Sequence, residues 1–248
     1  MNIIKNIFLW AKGFLFPGAC ALCGGSLTEP VGMQNSLCCS CMDSITLARG
    51  SKCDLCGKPL ISEIGTCLPC RNGGEKSYER LWVLFPYIGK FRKLLTAYKF
   101  GKNLALADFF VGKIHEVISG ILPQMPELKD AVIVPVPPRP GKIKETGWDQ
   151  IDYLVKRLEK NPACLPVLRL LKRKRSKAQK RLSRAERLDN LKGRIYLKKA
   201  YASKLSNISK TFILIDDVIT TGSTIEVCSA VLKEAGAEKV YGICLFFD

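Results

Sequence analysis

The chain has 248 residues, 47% of them hydrophobic, which is enough for one or two folded domains and excludes a disordered protein. Lysine and arginine outnumber aspartate and glutamate by 39 to 22, which gives a net charge of +17. Such an excess predicts affinity for polyanions, namely nucleic acid, phosphorylated metabolites or an anionic membrane face, with an evenly solvated basic surface as the alternative.

The chain begins with an apolar stretch that resembles a weak signal peptide or lipoprotein site. Pro17 stands where a lipoprotein signal has a branched apolar residue, and Cys20 already opens a C-x-x-C pair. We therefore expect a short amphipathic helix packed on the protein. No apolar run reaches the roughly 18 residues of a membrane-spanning helix, so we expect no transmembrane segment and a reduced, cytoplasmic protein.

Cysteine spacing is the clearest signal in the first seventy residues. Eight of the twelve cysteines form four C-x-x-C pairs, which indicates metal binding rather than disulfides, and redox motifs do not come in such quartets. Two pairs bring together the four thiolates of a closed structural zinc site, which would hold a segment too small to fold alone. Sequential pairing predicts two zinc sites, while a cross-braced pairing stays open. The first set is Cys20, Cys23, Cys38 and Cys41, and the second is Cys53, Cys56, Cys67 and Cys70.

Beyond this segment, buried strands alternate with helices. Apolar runs at 80–88, 131–137 and 212–215 predict strands, and amphipathic patterns at 89–100, 103–122 and 148–160 predict helices. This alternation predicts a parallel sheet covered on both faces. We therefore expect two domains, a double zinc ribbon with a short N-terminal helix at 1–72 and an α/β domain at 73–248.

The stretch "FILIDDVITTGST", residues 212–224, predicts a ligand site. In a parallel sheet, ligands bind at the carboxyl ends of the strands, where Asp216 and Asp217 would lie. The following residues lead into a helix start, which is a favourable place for an anion, and Gly222 lets the backbone approach it. Two carboxylates beside a phosphate cradle predict a ribose 5-phosphate site.

"ILIDDVITTGST" resembles the phosphoribosyl-diphosphate motif of type I phosphoribosyltransferases, and nearly the whole chain resembles the ComF (ComFC) competence-protein family. The family's zinc knuckles and "PVP" strand end have counterparts here, and the pattern Q-x-x-L-x-x-x-x-R-x-x-N is met by Gln179, Leu182, Arg187 and Asn190. One departure is "TGWDQ" at 146–150, where the family shows R-G-F-N-Q.

This resemblance implies a type I phosphoribosyltransferase-like fold, an α/β parallel sheet with helices on both faces, plus a small N-terminal zinc-ribbon domain. It also implies a Mg²⁺ ion that bridges the pyrophosphate and ribose hydroxyls of phosphoribosyl diphosphate. Asp216 and Asp217 would bind the ribose hydroxyls. The implied 5-phosphate ligands are Thr220, Thr221, Gly222, Ser223 and Thr224, and the residues implied to face the pyrophosphate are Pro137, Pro138 and Arg139.

Residues 169–199 concentrate the positive charge, with fourteen lysines and arginines against two acidic residues. The small number of large apolar residues predicts an exposed or mobile segment. It would be a track for a nucleic-acid backbone, a lid over the site or a solvated helix face. The residues expected to contact nucleic acid are Lys172, Arg173, Lys174, Arg175, Gln179 and Arg187.

Two functions therefore stay open. One is a binding protein for phosphoribosyl diphosphate and single-stranded DNA that assists natural transformation together with DNA-uptake proteins. The other is an active phosphoribosyltransferase with an unknown base or amine as acceptor. The sequence does not decide whether the chain is an enzyme.

Overall fold

The structure, a computed structural model, describes residues 18–27, 29–45, 50–161, 164–175, 184–202 and 204–248. The short N-terminal helix expected from the sequence lies outside the described residues. Eight strands are present in the described part of the chain. They are β1 (Gly18–Ala19), β2 (Ser26–Leu27), β3 (Arg80–Pro86), β4 (Val132–Pro135), β5 (Leu171–Arg173), β6 (Ile195–Leu197), β7 (Thr211–Ile219) and β8 (Lys239–Phe247).

Most helices lie between the strands, as the alternating pattern predicts. The α-helices of the described residues are α1 (Pro30–Asn35), α2 (Cys39–Asp43), α3 (Leu68–Arg71), α4 (Gly89–Lys99), α5 (Leu106–Ile121), α6 (Lys142–Thr146), α7 (Gln150–Leu158), α8 (Arg184–Leu191), α9 (Leu205–Ile208) and α10 (Ser223–Glu234). Short 3₁₀ helices span Pro126–Leu128 and Lys199–Tyr201.

The central sheet has four strands in the order β3-β8-β7-β4, and all neighbouring pairs are parallel. In its register Val132 lies beside Phe212, and Ile213 lies beside Tyr241. Because all four strands point the same way, the carboxyl ends of β4 and β7 meet at one edge. The parallel α/β sheet predicted from the sequence is confirmed.

Side chains of alternate strand residues pack into two separate hydrophobic cores, one on each face of the sheet. The first face, which includes Ile213 and Ile215, packs against α4, α5 and α7 and against the first cysteine cluster. The second face, which includes Phe212 and Leu214, packs against α10 and against β5 and β6. Helices therefore cover both faces, as expected. The division into domains at residue 72 stays a prediction.

Two local predictions differ from the structure. The strand expected at 212–215 continues as β7 to Ile219, so both aspartates belong to the strand and not to a loop after it. The basic segment, expected to be exposed or mobile, contains the antiparallel hairpin β5–β6, whose Leu171 and Ile195 are buried in the second core. A few apolar residues at alternate strand positions were enough to anchor it.

Among the described residues, no helix has both the length and the apolar character needed to cross a lipid bilayer.

Candidate functional site

The eight paired cysteines form two clusters in the sequential arrangement. Within each cluster the sulfur atoms lie within 4.8 Å of one another. Sulfur atoms about 2.3 Å from a tetrahedral zinc ion are about 3.8 Å apart. The distances between Cys23 Sγ and Cys38 Sγ, 3.8 Å, and between Cys56 Sγ and Cys67 Sγ, 3.7 Å, match this spacing. The described cysteines therefore fit two closed, structural zinc sites.

Backbone N–H groups favour the thiolate form of one cysteine in each cluster. In the second cluster the Sγ atom of Cys53 accepts from the N–H groups of Cys56 and Cys67 at 3.5 and 3.3 Å. Burial raises the pKa of Cys53, but these hydrogen bonds outweigh it and lower the pKa to about 7. In the first cluster the same balance lowers the pKa of Cys20 to about 6. Zinc binds thiolates, so Cys20 and Cys53 are each favoured as a first ligand, whereas burial raises the pKa of Cys41 to about 12 and that of Cys70 to about 11.

The second candidate site lies at the carboxyl end of β7. Residues Thr220–Ser223 turn from β7 into α10, and Gly222 adopts φ +78°, a left-handed conformation that favours glycine. The hydroxyl oxygens of Thr221 and Ser223 lie 2.9 Å apart. This turn and the start of α10 enclose a small concavity of about 40 Å³ that Asp216 also lines. We call residues 220–224 the phosphate loop, because helix-start amides and hydroxyls around a concavity suit a phosphate.

Asp217 points to the first face of the sheet, where polar partners surround it. Its Oδ2 atom accepts hydrogen bonds from Lys99 Nζ and Gln150 Nε2, each at 2.5 Å, and its Oδ1 atom accepts from the N–H of Val218. Burial raises the pKa of Asp217, but Lys99, Gln150 and Lys142 together outweigh burial and hold the pKa below its usual value. Asp217 is therefore a preformed carboxylate.

Asp216 points to the second face, as strand alternation requires of its neighbour. Burial and the negative charge of Asp217 raise the pKa of Asp216 to about 8. Burial lowers the pKa of Arg173, and the negative charge of Asp216 opposes that shift. The sequence treated the two aspartates as equivalent, whereas the structure gives them different partners and different proton affinities.

The turn after β4 reaches the same end of the sheet. Pro137 is buried, Pro138 is half-buried and Arg139 is exposed. The guanidinium of Arg139 forms a two-pronged ion pair with Glu145 in α6, which raises the pKa of Arg139. The N–H of Val136 donates to the carbonyl of Ile215 at 3.0 Å, so the predicted pyrophosphate residues begin at the same end of the sheet as Asp216.

The "TGWDQ" stretch supplies and orients one hydrogen-bond donor of Asp217. Asp149 caps α7 by accepting from the N–H of Asp152, and it also accepts from Lys142 Nζ at 2.6 Å. Lys142 in turn donates to the side-chain oxygen of Gln150, which orients the amide nitrogen of Gln150 towards Asp217. The sequence left Gln150, Lys142 and Lys99 without roles, because their partners are distant in the chain.

The expected nucleic-acid residues do not share one surface. Lys172, Lys174 and Arg175 are exposed, but Arg173 points inward towards Asp216. Gln179 lies outside the described residues, and so does the side chain of Arg187, whose backbone belongs to α8. Lys174 Nζ lies 5.2 Å from the ring centroid of Tyr196, which is 36% exposed. We call this outward side of β5–β6, with Lys172, Lys174 and Tyr196, the hairpin face.

The fold and these sites define a class, an α/β protein with a parallel sheet, two four-cysteine zinc sites and an acidic phosphate-loop edge. Comparison with known proteins shows which proteins of this class the chain resembles. Residues 11–71 match the family model of the double zinc ribbon domain. This match and the clustered cysteines support structural zinc.

The chain is also similar over most of its length to proteins named for competence and DNA use. "Competence protein ComFC" of Bacillus subtilis is 27% identical, with 91% of this chain and 93% of that protein covered. "Competence protein F" of Haemophilus influenzae is 28% identical, with 89% and 93% covered. "DNA utilization protein YhgH" of Escherichia coli is 28% identical, with 92% and 96% covered. The resemblance to the ComF competence-protein family is therefore confirmed.

Proposed function

We propose that this protein binds phosphoribosyl diphosphate at the carboxyl end of β7 and assists DNA uptake by binding single-stranded DNA on the adjacent hairpin face. The observation that carries the proposal is the edge at which Asp216, Asp217 and the phosphate loop meet. Asp216 and Asp217 accept ribose hydroxyls, and the phosphate loop, with Gly222 at its turn, donates to the 5-phosphate.

The acidic edge also suits magnesium. Asp216, a half-buried carboxyl whose pKa is raised by desolvation and by Asp217, gains from a nearby cation or hydroxyl donor. Asp216 would hold the Mg²⁺ ion, which would stabilise the negative charge of the pyrophosphate. Asp217 keeps Lys99 as its counter-ion throughout.

Calorimetry with phosphoribosyl diphosphate, with and without Mg²⁺, tests this part of the proposal. We expect saturable binding that Mg²⁺ strengthens. Asp217→Asn should weaken binding about ten- to a hundred-fold, because a hydrogen bond to a charged group contributes about 1.5–3 kcal/mol. Asp130→Asn is the matched control, since Asp130 is exposed at the opposite, amino end of β4. Equal affinity of Asp217→Asn and wild type would show that the aspartate serves only the fold.

The DNA part of the proposal rests on the hairpin face and on the names of the relatives. Lys172 lies directly across the hairpin from Tyr196, and Lys174 lies over its ring. Exposed cations beside an exposed aromatic ring suit a flexible single strand, whose phosphates pair with lysine and whose bases stack on the ring. The relatives named for competence and DNA utilization point to the same partner.

Anisotropy with a labelled single-stranded thymidine oligonucleotide tests this contact. The double variant Lys172→Gln, Lys174→Gln should bind more weakly, and the slope of log affinity against log salt should shrink by about 0.7 for each lost phosphate contact. Lys129→Gln, Lys160→Gln is the control with the same loss of charge at exposed positions away from the hairpin. If both double variants reduce the slope equally, the protein binds DNA through its net charge and not through this face.

A second candidate function is phosphoribosyl transfer to a base or amine. A cavity of about 500 Å³ borders the phosphate loop and is lined by Asn72, Tyr78, Leu188, Gly222 and Glu226 among others. Its volume suits a small organic molecule. Release of pyrophosphate that requires both phosphoribosyl diphosphate and an added nucleobase or amine would establish transfer. Binding without release for every acceptor would leave the first function.

A further inference from the structure

The second cysteine cluster is in direct backbone contact with the central sheet. The N–H of Leu81 in β3 donates to the carbonyl of Leu55 at 2.8 Å. Gly57 lies so close that a Cβ atom there would stand 2.3 Å from the carbonyl oxygen of Leu81. The knuckle Cys53–Lys58 is thus fixed against the sheet edge with no space for a side chain between them.

Lys58, the residue that ends this knuckle, reaches the phosphate loop. Its Nζ atom donates to the carbonyl oxygen of Thr220 at 3.1 Å and to that of Asp248 at 2.6 Å. The N–H of Asp248 in turn donates to the carbonyl of Ile219. A single ammonium group therefore ties the start of the phosphate loop to the C-terminal residue.

The backbone of Lys58 belongs to the metal-binding turn itself. Its carbonyl oxygen accepts from the N–H of Cys53 at 2.8 Å. The metal-binding turn therefore holds the backbone from which the Lys58 side chain extends.

We propose that zinc in the second cluster and phosphate at the phosphate loop are thermodynamically coupled, with Lys58 as the positioning residue that connects them. The inference rests on the proposed phosphoribosyl-diphosphate site. Zinc holds the knuckle, the knuckle holds the backbone of Lys58, and Lys58 binds the Thr220 carbonyl, so that the start of the phosphate loop is fixed beside the concavity that would take the anion. Coupling of this kind is reciprocal, so bound phosphate ligand must strengthen zinc binding by the same factor.

Lys58→Met tests the coupling in the zinc-loaded full chain, and Lys90→Met is the matched control. Lys90 also bridges a ribbon to the α/β core, since its Nζ donates to the carbonyl of Ser44 at 2.5 Å, but it lies on the first face, away from the loop. We expect Lys58→Met to bind phosphoribosyl diphosphate at least about fivefold more weakly, and Lys90→Met to bind like wild type. Lys58→Arg, which keeps the donors, should restore most of the affinity.

The reciprocal measurement follows zinc release to a chromogenic chelator. Saturating phosphoribosyl diphosphate should slow the release of one of the two zinc ions in wild type and in Lys90→Met, but not in Lys58→Met. Equal protection in Lys58→Met and wild type would overturn the proposal, even if both bind the ligand.

Hydrogen exchange separates this proposal from the proposed function. Amides of residues 219–225 should exchange faster in Lys58→Met, and in wild type after chelation, without any ligand. If they do so while wild type fails to bind phosphoribosyl diphosphate, the coupling stands and the proposed ligand is wrong. Unchanged exchange at 219–225, both in Lys58→Met and in wild type after chelation, would contradict the coupling.

Discussion

The two aspartates of β7 and the two cysteine clusters have different surroundings. Each face carries one aspartate of β7, and the clusters also differ in position, since the first packs on the first face and the second packs against the β3 edge. On the first face the cluster is partly exposed, with Cys23 open to solvent, and Asp217 has a lysine and an amide as partners. The second cluster, at the β3 edge, is buried at all four cysteines, and on the second face burial and the charge of Asp217 raise the pKa of Asp216.

The difference shows that equivalent motifs acquire their roles from what packs against them. The first cluster joins the core beside α5, so its zinc would serve mainly local stability. The second cluster reaches the phosphate loop through Lys58 and borders the cavity of about 500 Å³. We therefore expect perturbations of the second cluster to affect both stability and ligand binding, and those of the first cluster to affect stability alone.

The largest expected effect is loss of a zinc ligand in the second cluster. Cys56→Ser should remove one of two zinc ions and lower the free energy of unfolding by more than about 4 kcal/mol, because metal binding contributes directly to folding. Cys23→Ser should also lose zinc but destabilise less, since the exposed serine stays hydrated. Elemental analysis and thermal unfolding measure both. Equal destabilisation by the two variants would break the comparison between the clusters.

The next effect concerns the lysine that distinguishes the aspartates. Lys99→Met leaves Asp217 as a largely buried carboxylate without its counter-ion and should cost about 1–3 kcal/mol of unfolding free energy. The double variant Lys99→Met, Asp217→Asn should regain part of that loss, because the neutral amide needs no cation. Urea unfolding of the two single variants and the double variant gives the coupling energy. Additive losses would mean that the ion pair contributes nothing beyond its separate residues.

We expect an effect of similar size on ligand binding from the two sides of the hairpin β5–β6. Tyr196→Leu keeps an apolar side chain but removes the stacking surface, which should weaken single-stranded DNA binding by about 1–3 kcal/mol. It should leave binding of phosphoribosyl diphosphate unchanged. Arg173→Met should weaken binding of phosphoribosyl diphosphate and leave DNA binding unchanged, because Arg173 points towards Asp216. If Arg173→Met weakens DNA binding as much as Tyr196→Leu, the two sides of the hairpin do not have separate roles.

The smallest expected effect, taken per pH unit, is a dependence of the free energy of unfolding on pH that distinguishes Asp216 from Asp217. The pKa of Asp216 is raised from 3.8 to about 8, so the folded protein holds a proton that the unfolded chain releases. Stability should therefore fall as pH rises between these values, by at most about 1.4 kcal/mol per pH unit. The pKa of Asp217 is lowered, so its contribution is present above pH 3.8 and lost only as the pH falls through its folded pKa. Asp216→Asn should flatten the slope between pH 4 and 8, and an unchanged slope would assign it to other groups.

The sequence by itself determined the features that depend on neighbouring residues. C-x-x-C spacing sets which thiols can share a metal, because a short turn keeps both sulfurs on one side. Unbroken apolar runs between amphipathic helices predicted the parallel sheet, and the run ending in Asp216, Asp217 and Gly222 located the candidate ligand edge. These inferences hold over a few residues, where chain geometry leaves little freedom.

The tertiary structure decided which distant groups meet. Lys99 lies 118 residues from Asp217, Gln150 lies 67 from it, and Lys58 lies 162 residues from Thr220. It also decided that β7 continues through both aspartates and so directs them to opposite faces. No local pattern contains these pairings, because a polar side chain with a partner inside the fold and one facing solvent read alike in the sequence. Packing of the ribbon, the hairpin and the helices on the two faces of one sheet brings each of them to its partner.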